Sequence, residues 1–208
     1  MKKIIFYITT ICFMTYSHTQ KNIIDHSTVS SISEKRKSFS VQDLLDHADK
    51  NITVDQNGVF DLSHQQLSSL DGLQNISDPF KVKHLILSHN NLTKLEETFF
   101  YPFKNLTRID LHHNKIKNIM YNCFYYNAKI KRINLDNNRL NYLSSKSFAS
   151  LPNLQRLSLR NNRLSALPIH IFNNNNSSEL KVLTSGNTIS KTNLFRIEKR
   201  KKKIELIH

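Results

Sequence analysis

Only 3 glycines and 4 prolines stand among 208 residues, and tryptophan is absent. A fold that depends on many tight turns, as a large enzyme's loops do, has little here to build them with. Cysteine is almost missing as well. Cys12 lies in an N-terminal apolar run, so removal of that run would leave Cys123 alone and no intramolecular disulfide to hold the chain. Acidic residues are few, 16 against 30 lysines and arginines, for a formal charge of +14. Such an excess favours anionic partners. Long apolar stretches are also lacking: Ile4 to Tyr16 is too short for the roughly 20 residues that span a bilayer.

What is present sorts into segments. Lys2 and Lys3, the apolar run after them and the small or polar residues near Ser17 to Thr19 read as an export signal over residues 1–19. Its removal would lower the charge to about +12 and predicts a secreted or periplasmic protein without a membrane span. Residues 20–39 are Ser-rich and basic around Lys35, Arg36 and Lys37, the composition of a disordered segment. Ser40 followed by Val41, Leu44, Leu45 and Ala48 predicts an N-capped amphipathic helix within residues 40–56, covering whatever follows. The last residues, 191–208, carry a charge run from Arg196 to Lys203 and read as a solvated basic tail.

Between these ends the chain repeats itself. Leu85, Leu87, Asn90, Leu92 and Leu95 recur 24 residues later as Ile109, Leu111, Asn114, Ile116 and Ile119. Ile133, Leu135, Asn138, Leu140 and Leu143 follow, and then Leu157, Leu159, Asn162, Leu164 and Leu167. Phe100, Phe124, Phe148 and Phe172 keep the same step. Weaker copies flank the four, with Phe60, Leu62, Gln65, Leu67 and Leu70 before them and Val182, Thr184, Asn187 and Ile189 after them. Terminal repeats are often atypical because they cap an otherwise open core.

The pattern has a direct physical reading. Alternate residues of a short strand point inward, so both hydrophobes of each LxL face a core. An asparagine where the chain leaves the strand can donate to and accept from backbone groups of adjacent turns. Asn90, Asn114, Asn138, Asn162 and Asn187 are therefore expected to form a ladder, and the phenylalanines a stacked spine on the returning side.

This LxLxxNxLxxL register resembles the 24-residue typical class of leucine-rich repeats over residues 57–190, about six repeats. The resemblance implies an α/β architecture: a right-handed solenoid, or horseshoe, with a concave parallel β-sheet that binds a protein partner. The cysteine-rich caps of many extracellular members are absent from the sequence. No cofactor is expected and no catalytic activity, since too little chain follows Ile189 for a catalytic domain.

In-register strands would align their solvent-facing residues in columns. One column reads Val59, His84, Arg108, Arg132, Arg156 and Lys181; the next holds Asp61, Ile86, Asp110, Asn134, Ser158 and Leu183; a third holds Ser63, Ser88, His112, Asp136, Arg160 and Ser185. Three arginines at the strand spacing of about 4.8 Å repel one another, which stability alone does not favour. Asp110 and Asp136 are expected to offset part of that repulsion. The column reads as a recognition stripe for an acidic protein, with His84, Asp110, His112, Asp136 and Arg160 around it. A nucleic acid, glycosaminoglycan or anionic lipid is the alternative partner, suggested by the net charge and the run from Lys199 to Lys203.

Two other groups could carry chemistry. His84, His112 and a stack of His64, His89 and His113 gather on the same side, but parallel side chains on neighbouring strands are expected to diverge, so no metal site is predicted. Cys123 would need a histidine within hydrogen-bond reach to act as a nucleophile. It precedes Phe124 on the far side of the repeat, away from the histidines.

Overall fold

Repetition of inward-facing hydrophobes at alternate positions, each set closed by an asparagine, produces a stack of short strands. The computed structural model describes residues 38–47, 52–200 and 204–208. The expected signal and most of the Ser-rich segment lie outside the described residues. Among the described residues the first element is helix α1, Val41–His47, followed by β1, Val59–Asp61. Then come β2, His84–Ile86, and a two-residue β3, Lys94–Leu95. The next copies supply β4, Arg108–Asp110, β5, Asn118–Ile119, and β6, Arg132–Asn134. β7, Arg156–Ser158, and β8, Leu180–Leu183, complete the repeats. Helix α2, Lys191–Arg200, and β9, Ile204–Ile207, close the chain.

Seven strands form one sheet in the order β1-β2-β4-β6-β7-β8-β9, every neighbouring pair parallel. Register follows the repeat: Arg108 pairs with Arg132, and Arg132 with Arg156. A second, two-stranded parallel sheet joins β3 to β5. Leu85, Ile109, Ile133 and Leu157 face inward and are buried, as are Leu87, Leu111, Leu135 and Leu159 two residues later. Behind them Phe100, Phe124, Phe148 and Phe172 stack with ring centroids 5.4, 6.2 and 6.5 Å apart. Among the described residues no helix is long and apolar enough to cross a membrane.

The asparagines knit successive turns. Asn138 donates from Nδ2 to the carbonyls of Leu111, one repeat earlier, and Leu135 in its own turn, and its Oδ1 accepts the Ile116 amide at 3.0 Å. Asn114 treats Leu87, Leu111 and Leu92 in the same way, and Asn162 treats Leu135, Leu159 and Leu140. Asn90 starts the series, taking both the Gln65 and the Leu67 amide on Oδ1. Asn187 ends it, bonded to Leu159, Thr184 and Leu164 but only half-buried. The side chain of Gln65, in the slot of the first repeat, donates to the Ser63 carbonyl of its own turn.

Both ends are capped by elements that hide the outermost turns. In α1 the Ser40 hydroxyl accepts the Asp43 amide at 3.1 Å while the Asp43 carboxylate accepts the Ser40 amide at 2.9 Å, a reciprocal cap. Val41 and Leu44 bury against the core. The helix is shorter than the 40–56 span suggested by the sequence: residues 52–55 are not helical.

At the other end, residues 191–208 do not form the solvated tail that their charge suggests. Helix α2 buries Leu194 and Ile197, and Asn193 docks it on the last repeat by exchanging two bonds with the Leu167 backbone. Strand β9 alternates buried Ile204 and Leu206 with exposed Glu205 and becomes the seventh strand of the sheet. Its presence accounts for Thr184, which stands where the other copies place an inward leucine. The Thr184 amide donates to the Ile207 carbonyl at 2.8 Å, and its hydroxyl lies 3.1 Å from His208 Nδ1.

Replacing Asn138 by alanine leaves buried carbonyls and an amide unpaired, at about 1 to 3 kcal/mol per group. Asn138→Ala should therefore lower the denaturant midpoint clearly more than Asn187→Ala, whose surroundings admit water. Deleting residues 204–208 uncovers the backbone edge of β8 together with apolar side chains of β8 and α2. The shortened chain should melt at a lower temperature than the full chain and self-associate in analytical ultracentrifugation.

Candidate functional site

The open face of the large sheet carries the column expected from the repeat. Arg108, Arg132 and Arg156 are exposed, one per strand, on β4, β6 and β7. Among the described residues none of the three takes part in an ion pair. The column is bounded at both ends. At one end His84 on β2 is held below the ordinary imidazole value of 6.5, first by burial and next by the Arg108 guanidinium, against the opposing pull of Asp110 and Asp61. At the other, Lys181 on β8 lies 3.3 Å from Glu179 and 3.1 Å from Glu205, which pairs with it across β9. Three unpaired guanidinium groups thus stand between a histidine biased toward neutrality and a neutralised lysine.

Beside the arginines runs a groove of about 360 Å³ whose lining includes His84, Asp110, Asp136 and Arg160 as well as the three arginines. Asn134 and Ser158 line it too. His112 does not, but its Nδ1 lies 2.6 Å from Asp110 Oδ1.

The aspartates form no ion pair with the three arginines among the described residues, and their carboxylates are bonded elsewhere. Asp110 accepts from the His112 ring and from the His112 backbone amide, and Asp136 accepts the Arg160 amide at 2.7 Å. Asp61 and Asn134 likewise take the amide two residues on, those of Ser63 and Asp136. Asp61, Asp110 and Asn134 thus form Asx turns at the strand ends, whereas Asp136 bonds a backbone amide one repeat on. The signal was in the sequence: Asp or Asn at the same place in three copies, one residue beyond the strand centre.

A family model of the leucine-rich repeat matches residues 80–140, 105–164 and 128–183, half of the chain in all. The chain belongs to the leucine-rich repeat family. Among solved structures, a leucine-rich repeat protein of Leptospira interrogans is 31% identical and superposes with a TM-score of 0.54 over 62% of this chain and 32% of the other. TLR13, in its complex with ssRNA13, is 21% identical and superposes with a TM-score of 0.60 over 72% of this chain and 21% of its own. At that identity the second likeness speaks for the fold alone. The chain thus spans about a third or less of the length of these two structures. No curated protein matches the sequence significantly.

Elsewhere on the leucine-rich repeat domain, the residue before each ladder asparagine has a left-handed backbone. His89, His113, Asn137 and Asn161 have φ between 52° and 57°, and Gly186 has φ 73°. His64, before Gln65, shares the conformation at φ 58°. Asn, His and Gly are the residues that tolerate it. A Cβ on Gly186 would collide with Asn161 Oδ1, so that place in the column admits only glycine without rearrangement. Stacked this way, His64 and His89 have centroids 4.3 Å apart, and His89 and His113 4.6 Å. His112 meets His89 edge-on at 4.8 Å. Partial desolvation among the neighbouring rings, followed by repulsion from His64, His112 and His113, holds the exposed His89 below the ordinary imidazole value. Contrary to the divergence expected of parallel strands, one ring nitrogen each from His89, His112 and His113 lie within 4.8 Å of one another.

Cys123 is fully buried beside the phenylalanine spine, and burial pushes its thiol well above the ordinary range. That environment suppresses the thiolate a nucleophile requires.

The depressed His84 value has a consequence for stability. With the folded value below the unfolded one, the unfolded chain takes up the proton first as pH falls. The contribution of the neutral ring is complete above the unfolded value of about 6.5 and is lost as pH drops through the folded value. Moving from about pH 7.5 to about pH 5.5 should lower the urea midpoint of the wild type, and His84→Gln should lessen that dependence.

Proposed function

We propose that this chain is an exported leucine-rich repeat module of the 24-residue class, without catalytic activity, that binds an acidic protein partner through the open face of its sheet. The carrying observation is the row Arg108, Arg132 and Arg156, aligned across three consecutive strands without ion-pair partners among the described residues. Like charges set side by side on neighbouring strands weaken a sheet. An acidic surface docked on them would remove that repulsion and gain bidentate carboxylate contacts, which a planar guanidinium makes better than an ammonium does.

The groove supports a protein over a single-stranded nucleic acid. Its lining mixes arginine with aspartate, asparagine and serine, and holds no tyrosine, phenylalanine or tryptophan on which bases could stack. Asp110 and Asp136 would also repel a continuous line of phosphates. The export reading rests on Lys2, Lys3 and the apolar run to Tyr16, residues outside those described. It supports a partner met outside the cytoplasm.

The test uses affinity capture of partners by the mature chain from its native surroundings, followed by titration of the captured partner at two salt concentrations. Arg132→Ala should weaken binding by about 1 to 2 kcal/mol, roughly tenfold, and Arg108→Ala/Arg132→Ala/Arg156→Ala should weaken it further. Unchanged affinity of the triple variant would remove the stripe from consideration. A steep salt dependence shared by every anionic polymer tested would instead indicate a polyanion binder. Tail deletion is not a clean control for that alternative, because β9 is part of the sheet.

A further inference from the structure

The histidines beside the groove are not used by the reading above, and their arrangement points to different chemistry. His112 and His113 are consecutive yet present their rings to the same place, because His113 has the left-handed backbone and turns back beside the strand end that carries His112. His89 reaches that place from one repeat earlier, stacked on His113. The ligand atoms therefore come from two backbone conformations, and divergence of parallel strands does not separate them.

We propose that His89, His112 and His113 bind one late first-row divalent cation such as Zn²⁺, each through one ring nitrogen, with Asp110 orienting His112 from the second layer. Imidazole nitrogens suit zinc, nickel and copper, whereas magnesium and calcium prefer oxygen donors. Zn–N bonds of about 2.0–2.1 Å in a tetrahedral site set the nitrogens about 3.4 Å apart. The present separations, up to 4.8 Å, close by side-chain rotation of rings that are exposed or half-buried. Asp110 Oδ1 at 2.6 Å from His112 Nδ1 fixes the tautomer that leaves Nε2 free, the arrangement in which a carboxylate commonly supports a metal-bound histidine. His113 Nε2 lies 3.3 Å from Asn137 Nδ2, a long contact that a metal can replace at little cost. Three protein ligands leave a fourth position open to water.

The same column supplies a conservative test. Asn137 and Asn161 occupy the left-handed position in later repeats, so His89→Asn and His113→Asn keep a residue that this backbone accepts. Zinc chloride is titrated calorimetrically into the full chain, expressed without an affinity tag and freed of metal by chelator, near neutral pH. Magnesium chloride is titrated in parallel. The proposal expects one equivalent of zinc bound, no magnesium, and a zinc-dependent rise in melting temperature. His89→Asn/His113→Asn should weaken zinc binding by at least about 100-fold and abolish the thermal shift, with an unchanged circular dichroism spectrum as evidence of folding. Asp110→Asn, which keeps an oxygen for the Asx turn, should weaken it by roughly tenfold. His64→Asn should change it little. Absence of saturable one-to-one zinc binding by the wild type would overturn the proposal. So would wild-type affinity in the folded double variant, which would place the ion on histidines elsewhere.

Discussion

Everything on the open face depends on how the turns behind it are satisfied. A chain that leaves a strand and folds back within 24 residues buries carbonyls and amides that no neighbouring strand can reach, and each left unpaired costs about 1 to 3 kcal/mol. The ladder asparagine meets that need with one amide group, giving protons to its own turn and to the preceding repeat while accepting a backbone amide from the latter. Asn114, Asn138 and Asn162 do so with nearly the same distances. Because the bonds run between equivalent atoms of successive copies, they favour one register. A slip by a single residue would break each of them and turn the inward leucines outward.

Register converts a linear repeat into surface columns. Once equivalent residues are neighbours, any side chain repeated at a solvent-facing position becomes a stripe, whatever its chemistry. Arginine in three copies gives a row of guanidinium groups; Asp or Asn in three copies gives Asx turns; histidine at the left-handed position gives a ring stack. The first and third of these cost something in repulsion, and the second stabilises the strand ends. His84 and Lys181 limit the arginine row to three strands, one through a depressed pKa and the other through Glu179 and Glu205.

The sheet and its columns were legible in the sequence because side-chain direction in a strand alternates strictly and the copies were in step. Features that depend on a second level of contact were not. Charge from Arg196 to Lys203 masked the apolar spacing of Leu194 and Ile197, and the alternation of Ile204 and Leu206, that build the closing helix and strand. The adjoining columns announced Asp110 and Asp136 as charges near the arginines, but not that their carboxylates accept backbone amides, of His112 two residues on and of Arg160 one repeat on. The histidine convergence was hidden for a similar reason. It requires His89 and His113 to adopt a positive φ, a property of the turn that residue identity permits but does not announce. Asn127 was also overlooked: it is buried on the returning side and donates to the Phe100 and Phe103 carbonyls, and Asn175, at the same position two repeats later, donates to the Leu151 and Leu154 carbonyls.

The central claim is that the ladder amides hold the turns in register as one cooperative structure. Native-state hydrogen exchange of the wild-type protein tests it most directly, read at the backbone amides of Leu92, Ile116 and Leu140, which donate to Asn114, Asn138 and Asn162. The account predicts that these three exchange slowly, near the rate set by global unfolding and at similar free energies. Exchange as fast as that of exposed turn amides, while the strand amides beside them stay protected, would contradict it.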